Sequence, residues 1–174
     1  MELQKLLQYA LKIEEDGRSF YLEGSNRVKN QLAKEVLTHL ASEELDHIER
    51  IQEGYERVIK NEPFTTKNIQ GLRRSSREYF ENIFTEAQKK SQELIKCEAE
   101  ELDILKTALD LESKSHQFYS EQIKEQSDEQ VKQFLDFLTS EEYRHYNLIF
   151  NTIQYITNPS EWYYQEEKPI FEGG

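Results

Sequence analysis

The chain contains an internal duplication, and this duplication constrains its fold more than any other feature. The hexapeptide Ser42-Glu43-Glu44-Leu45-Asp46-His47 recurs 98 positions later, counted from 44 to 142, as Ser140-Glu141-Glu142-Tyr143-Arg144-His145. The same offset relates three further landmarks: Ala10 and Ala108, Glu14 and Glu112, and Phe20-Tyr21 and Phe118-Tyr119. No insertion separates these landmarks within either half. The two halves are therefore expected to form the same arrangement of secondary structure.

Apolar residues recur in each half at steps of three and four, which is the spacing of one face of an α-helix. The pattern predicts four helices, over residues 2–29, 31–60, 101–125 and 129–156. Only 6 of the 174 residues are Gly and 3 are Pro, a composition that favours long helices over turn-rich β structure. We therefore predict an all-α four-helix bundle in which each half of the duplication supplies two helices.

Polar residues and prolines mark where the predicted helices begin and end. Asn30 and Asp128 occupy equivalent positions in the two halves. Each side chain can accept a hydrogen bond from a free N–H group of the helix that follows. The motifs Asn61-Glu62-Pro63 and Asn158-Pro159 are predicted to end the second and fourth helices, because proline cannot continue a helix.

The duplication does not extend over residues 61 to 100. This stretch is predicted to form a long crossover with a short amphipathic helix over 78–84. A connection of this length can carry the chain from one end of a bundle to the other, so the third helix can run parallel to the second. The predicted bundle, crossover included, occupies residues 1–157. Residues 158–174 are predicted to form an extended tail on its surface.

The acidic composition disfavours two kinds of partner. There are 22 Lys and Arg residues against 34 Asp and Glu residues, so the net charge is −12. This charge disfavours binding to nucleic acids and to anionic membrane surfaces. No segment approaches the roughly 20 consecutive apolar residues of a membrane span, so we expect a soluble, cytoplasmic protein. Cys97 is the only cysteine, which excludes an internal disulfide and a four-cysteine metal site.

Each predicted helix carries one glutamate on its apolar face: Glu14, Glu44, Glu112 and Glu142. Four unpaired buried carboxylates would cost many kcal/mol, whereas two divalent metal ions would neutralise them. His47 and His145 follow a glutamate by three residues and project from the same face. Carboxylate and imidazole ligands suit iron or manganese, at a separation of about 3.5–4 Å where carboxylates bridge the ions. The alternative is four core glutamates paired with Arg or Tyr.

This pattern resembles the ferritin-like di-iron carboxylate proteins, in which two helices supply one Glu each and two supply Glu-x-x-His. The segments Glu14-x-x-Gly17-x-x-Phe20-Tyr21 and Glu112-x-x-Ser115-x-x-Phe118-Tyr119 look like the erythrin branch, the di-iron domain of rubrerythrin. The resemblance covers about residues 2–156 and implies a ferritin-like four-helix bundle with a long crossover between the second and third helices. It implies two iron ions, with manganese or a mixed iron–manganese pair as alternatives. The implied metal ligands are Glu14, Glu44, His47, Glu112, Glu142 and His145.

The resemblance also implies supporting roles for the two acids that precede the ligand glutamates of the second and fourth helices. Glu43 would hydrogen-bond and orient His145, and Glu141 would orient His47. Such partners fix the tautomer and the ring orientation of a ligand histidine. The alternative is that both are ordinary surface acids.

Two tyrosines and two histidines remain to be interpreted. Tyr21 and Tyr119 would be hydrogen-bond donors near the ligands or oxidisable groups, and they are equally well explained as core aromatics with a satisfied hydroxyl. His39 and His116 lie outside the duplicated pattern and are predicted to be non-ligands.

Ser115 stands where rubrerythrin has a second glutamate on its third helix, so the iron movement associated with the peroxidase cycle of that family is in question.

By this resemblance, the chain is an oxidoreductase of the oxidative-stress response that reduces hydrogen peroxide or dioxygen. Rubrerythrin carries a rubredoxin domain with paired cysteines, and these are missing from this sequence, so electrons are expected from an external donor protein. A homodimer is expected. No catalytic residue is predicted beyond the metal ligands themselves.

Three other functions stay open. The first is ferritin-like iron oxidation and storage, although Met1 is the only methionine and no haem site of the bacterioferritin kind is expected. The second is oxygen activation on an organic substrate, as in demethoxyubiquinone hydroxylase, for which the crossover is too hydrophilic to supply a membrane-facing surface. The third is a bundle whose metal site is empty or only structural.

Overall fold

A computed structural model of the protein describes residues 2–65 and 98–158. Four helices account for nearly all of these residues: α1 (Leu3–Arg27), α2 (Gln31–Ile59), α3 (Ala99–Glu125) and α4 (Glu129–Thr157). Each helix begins and ends within two residues of its predicted position. None of these described helices is long and apolar enough to cross a lipid bilayer. The predicted all-α, four-helix architecture is confirmed.

Asn30 and Asp128 cap the N-termini of α2 and α4, as predicted. Asn30 Oδ1 accepts a hydrogen bond from the N–H of Ala33 at 3.1 Å, and the Asp128 carboxylate accepts one from the N–H of Gln130 at 2.8 Å. These bonds satisfy N–H groups that the first turns of α2 and α4 leave without a helical partner. Just beyond the end of α2, Asn61 adopts a φ of 54°, a left-handed conformation that asparagine tolerates better than most residues.

A buried glutamate joins the two halves at the start of α3. The carboxylate of Glu101 accepts hydrogen bonds from the N–H of Glu98 at 2.7 Å and from the N–H of Asn30 at 2.8 Å. The first bond begins α3 two residues earlier than predicted. The second ties the connection between α1 and α2 to the third helix, a contact that the sequence pattern did not suggest.

Two apolar clusters fill the bundle, one towards each end. The first cluster takes residues from the N-terminal parts of α2 and α3, and includes Leu37, Leu105 and Ile149. The second takes residues from their C-terminal parts and from the start of α1, and includes Leu7, Ile51, Tyr119 and Leu135. Since α2 and α3 pass from the first cluster to the second, they run parallel, as predicted. Both are antiparallel to α1 and α4.

Several predictions concern stretches outside the described residues. They are the short helix over 78–84 and the rest of the crossover between 66 and 97, together with the extended tail from 159 onwards. The described start of the crossover does contact the bundle, because Phe64 packs on Phe134 with 5.2 Å between the ring centroids. This contact belongs to the second cluster, and the described chain resumes at the opposite end of the bundle.

Candidate metal centre

A layer of acidic and imidazole side chains separates the two apolar clusters. It contains the six residues predicted as ligands, and each exposes 2% or less of its surface: Glu14, Glu44, His47, Glu112, Glu142 and His145. Every helix supplies one glutamate from the middle of its apolar stripe, as the helical spacing predicted. Six ionisable groups buried together need charge neutralisation, from protons or from cations.

The six side chains form two overlapping groups, each of which could hold one metal ion. Glu14 and His47 belong to one group, and Glu112 and His145 belong to the other. Two further carboxylates, Glu44 and Glu142, belong to both groups. Within each group the potential ligand atoms all lie within 4.8 Å of one another. Two shared carboxylates between two terminal pairs give the arrangement of a carboxylate-bridged dinuclear centre.

Both histidines present the same ring nitrogen to the carboxylates. His47 Nδ1 lies 3.1 Å from Glu14 Oε2 and 3.0 Å from Glu44 Oε2. His145 Nδ1 lies 3.2 Å from Glu44 Oε1 and 3.5 Å from Glu112 Oε1. The two rings stack with 5.4 Å between their centroids and 18° between their planes. Each Nδ1 is therefore placed to bind a cation, which leaves Nε2 for a partner outside the cluster.

The cluster contains buried polar atoms that the described part of the chain does not satisfy. Glu112 Oε2, Glu142 Oε1 and His145 Nδ1 form no hydrogen bond with any described residue. Such orphaned atoms are costly in a native interior, and a bound ion would remove this cost. All three are donors of the kind that iron and manganese bind. The residues present thus fit a pair of such ions.

The two tyrosines contact the glutamates of the opposite half. The Tyr21 hydroxyl donates a hydrogen bond to Glu112, and the Tyr119 hydroxyl donates one to Glu14. Burial, followed by the charges of nearby carboxylates, raises the pKa of both phenols well above the ordinary value, so both hydroxyls keep their protons at neutral pH. The crossed pattern ties α1 to α3 through the two terminal carboxylates.

The two supporting acids differ in their contacts. His145 Nε2 lies 3.1 Å from Glu43 Oε2, a hydrogen-bonding distance. His47 Nε2 lies 4.0 Å from Glu141 Oε2, beyond a hydrogen bond, and Glu141 forms an ion pair with Arg144. The predicted orientation of His145 by Glu43 is thus geometrically available, whereas the equivalent bond in the other half is not formed. That Glu141 orients His47 stays a prediction.

The other two histidines lie outside both ligand groups. His39 Nε2 is 3.2 Å from Glu43 Oε2, on the outer side of the cluster. The ring of His116 is 6.1 Å from that of Tyr143.

Burial alone would raise the pKa of Glu43, but its hydrogen bonds with His145 and His39 hold the pKa below the ordinary range. Glu43 is therefore an ionised acceptor.

Without metal ions, the cluster shares protons unevenly. Burial, and then the charge of Glu44, raise the pKa of Glu14 to about 8. Burial raises the pKa of Glu142, and the charges of Glu14 and Glu112 add to this effect. Burial acts against a charge on His47, yet its hydrogen bonds with Glu14 and Glu44 raise its pKa to about 9. At neutral pH the metal-free cluster thus holds protons at the positions where cations would bind.

A cavity of about 350 Å³ leads from the surface between α1 and α3 to the cluster. It reaches Glu14, Glu44 and Glu142, and it passes between Gly17 and Ser115. These last two residues are half-buried, because the cavity opens there. The sequence offered a signal for this opening, since both are small and they occupy equivalent positions in the duplication.

A family model described as Rubrerythrin matches residues 5–153. No curated protein and no solved structure matches the chain significantly. The matched range covers all six clustered residues and the whole of α2 and α3. Only the start of α1 and the last turn of α4 lie outside it.

Proposed function

Because the chain belongs to the rubrerythrin family, we propose that it is a di-iron oxidoreductase that reduces hydrogen peroxide or dioxygen with electrons from an external donor protein. The observation that carries this proposal is the pair of ligand groups sharing Glu44 and Glu142. Shared carboxylates would hold two ions close together, so that two ferrous ions could each supply one electron to the same oxidant.

Each residue has a role in this proposal. Glu44 and Glu142, which belong to both ligand groups, would contribute to holding both ions, and Glu14 with His47 and Glu112 with His145 would each complete one site. Four carboxylates and two neutral imidazoles balance the four positive charges of two ferrous ions in a buried layer. The hydrogen bonds from Tyr21 and Tyr119 hold the terminal glutamates in position.

The iron ions, when bound, supply the two electrons that break the O–O bond of hydrogen peroxide, and with two protons the products are two water molecules. The cavity between α1 and α3 gives the oxidant a route to Glu14, Glu44 and Glu142. Apart from this cavity, the apolar clusters on either side shield the buried layer from bulk water. The carboxylates and imidazoles therefore act in a low-dielectric site, where their charges have the greatest effect.

Anaerobic loading with Fe(II), followed by stopped-flow mixing with hydrogen peroxide, tests the proposal. We expect two irons per chain and the oxidation of two Fe(II) by each peroxide. Glu44→Ala, which removes a shared ligand, is expected to abolish this rapid phase. Tyr143→Phe, at an exposed position outside the cluster, is expected to retain it. Slow oxidation of the wild type, no faster than that of free Fe(II), would contradict the proposal.

The remaining partners stay predictions. A native mass of two chains agrees with the predicted homodimer and with a redox role, whereas a cage of many subunits favours iron storage. The external donor, the cytoplasmic location and a role in oxidative stress also stay predictions. Manganese or a mixed pair instead of two irons is distinguished by the metal content of protein purified without added metal.

A further inference from the structure

The cavity is lined by residue pairs that the duplication relates. Three of these pairs are apolar or small: Ile13 with Leu111, Gly17 with Ser115, and Phe20 with Phe118. A fourth pair, Asp16 with Lys114, is charged and exposed to solvent. Ring contacts continue this apolar surface to the mouth, where Tyr9 lies 4.8 Å from Phe118 between ring centroids. The inner end is made of ligand carboxylates. The cavity thus has an apolar body and a polar end at the proposed metal centre.

Its size exceeds what hydrogen peroxide requires. One water molecule occupies about 30 Å³ in the liquid, and hydrogen peroxide is not much larger. The cavity measures about 350 Å³ in the metal-free protein, including the space among the carboxylates at its inner end. This falls within the range of roughly 300–1,000 Å³ for sites that bind organic molecules. An apolar lining of this volume favours a ligand with an organic body over a small polar oxidant alone.

Gly17 keeps this space open. A Cβ atom added at Gly17 would meet only Tyr21 Cε2, at 3.9 Å, so no close approach of a neighbour requires a glycine there. Gly17 lies in the interior of α1 and has a negative φ, and a glycine there costs about 1 kcal/mol of helix stability relative to alanine. Neither the backbone conformation nor the packing of neighbours therefore requires a glycine at position 17. A larger side chain at this position would occupy the cavity.

We propose that the cavity between α1 and α3 binds organic hydroperoxides with an apolar, ring-sized body, and that Gly17 and Ser115 set the size of substrate that reaches the centre. This inference rests on the proposed function and names a substrate class for it. The apolar body packs between Phe20 and Phe118, and the hydroperoxide group points to the carboxylate end.

The reaction balances in the same way as that of hydrogen peroxide. Two electrons from the ferrous pair and two protons break the O–O bond of R–O–O–H. The products are the alcohol R–OH and one water molecule, and the external donor protein later returns the two electrons. The alcohol keeps the body of the substrate, so the same cavity also binds the product.

Two measurements test the inference, one of binding and one of rate. Calorimetry of the iron-loaded, oxidised protein with cumyl alcohol measures binding of the product. Stopped-flow oxidation of the ferrous protein compares cumene hydroperoxide with hydrogen peroxide. The test variants are Gly17→Leu and Ser115→Leu. Ser113→Leu is the matched control, because Ser113 is exposed on the same helix and outside the cavity.

We expect wild-type protein and Ser113→Leu to bind cumyl alcohol and to be oxidised rapidly by both hydroperoxides. Gly17→Leu and Ser115→Leu should weaken the binding of cumyl alcohol. They should also lower the rate with cumene hydroperoxide, relative to the rate with hydrogen peroxide, by about tenfold, which is the scale on which an apolar pocket discriminates between substrates of different size. Absence of alcohol binding to the wild type, or an unchanged ratio in both variants, overturns the inference. Rapid oxidation by hydrogen peroxide alone overturns it and leaves the proposed function standing. No rapid oxidation by either hydroperoxide overturns both.

Discussion

His145 Nε2 lies 3.1 Å from Glu43, whereas the equivalent atom of His47 lies 4.0 Å from Glu141. The two halves are therefore not identical at the centre, although the duplication places the same residue types in both. Arg144 accounts for the difference, because it pairs with Glu141 and draws that carboxylate from the histidine. Asp46 occupies the equivalent position in the first half, and an acid cannot compete for Glu43 in this way.

Removing Glu43 is expected to weaken metal binding more than removing Glu141. Loss of a hydrogen-bond partner of a ligand histidine typically costs about 10–100-fold in metal affinity. Competition with a chelator measures this affinity for Glu43→Ala and for Glu141→Ala, which is the matched variant of the other half. The thermal stability of each metal-free variant controls for folding. An equal or greater loss in Glu141→Ala would show that the 3.1 Å contact does not support the site.

Shared and terminal glutamates are expected to differ in metal stoichiometry. Glu44→Ala removes a carboxylate that belongs to both ligand groups, so the bound metal should fall from two ions per chain to less than one. Glu14→Ala and Glu112→Ala each remove a ligand from one group and should leave about one ion bound, in the other group. Elemental analysis after dialysis gives the counts. Equal losses in all three variants would contradict the assignment of shared and terminal ligands.

The crossed tyrosine contacts are expected to stabilise the bundle. Tyr21→Phe and Tyr119→Phe each leave a buried glutamate oxygen without its hydrogen bond, which costs about 1–3 kcal/mol of unfolding free energy. The two losses should be similar, because the contacts are equivalent. Urea denaturation of the metal-free protein measures both. Tyr143→Phe, at a position 58% exposed, serves as control and should change the stability by less than about 0.5 kcal/mol.

The metal-free protein is expected to lose stability as the pH rises from about 5 to 9. The pKa of Glu14 is raised from 4.5 to about 8 and that of His47 from 6.5 to about 9, so the folded state holds more protons than the unfolded chain across this range. The unfolding free energy must then fall with pH. Metal ions compete with these protons, so loading should reverse the trend and release protons. A metal-free melting temperature that rises over this range would contradict the proton sharing.

Helical periodicity and the duplication were sufficient to predict much of this site. Four helices, their order and the six clustered residues follow from stripes in which a glutamate replaces an apolar residue at equivalent positions. Such a pattern is local to each helix, and it decides which side chains face inwards. The duplication also predicts which positions of the two halves are equivalent, and hence that Glu44 and Glu142 have the same role.

Contacts between the halves depended on packing that the sequence pattern does not contain. The tyrosines were predicted near the ligands, but helical spacing alone cannot tell that Tyr21 bonds Glu112 of the opposite helix instead of a residue of α1. The role of Glu101 was missed, because it depends on where the connection between α1 and α2 lies. Replacement of Asp46 by Arg144 was visible, yet its effect on Glu141 required the distance.

Anomalous diffraction from crystals of protein purified without added metal tests the dinuclear centre most directly. Data collected across the iron and manganese absorption edges identify each ion and locate it. We predict two peaks per chain, about 3.5–4 Å apart, between Glu44 and Glu142, with one near His47 and the other near His145. A single peak, or no peak among these carboxylates in a crystal that retains the metal of the purified protein, would contradict the account.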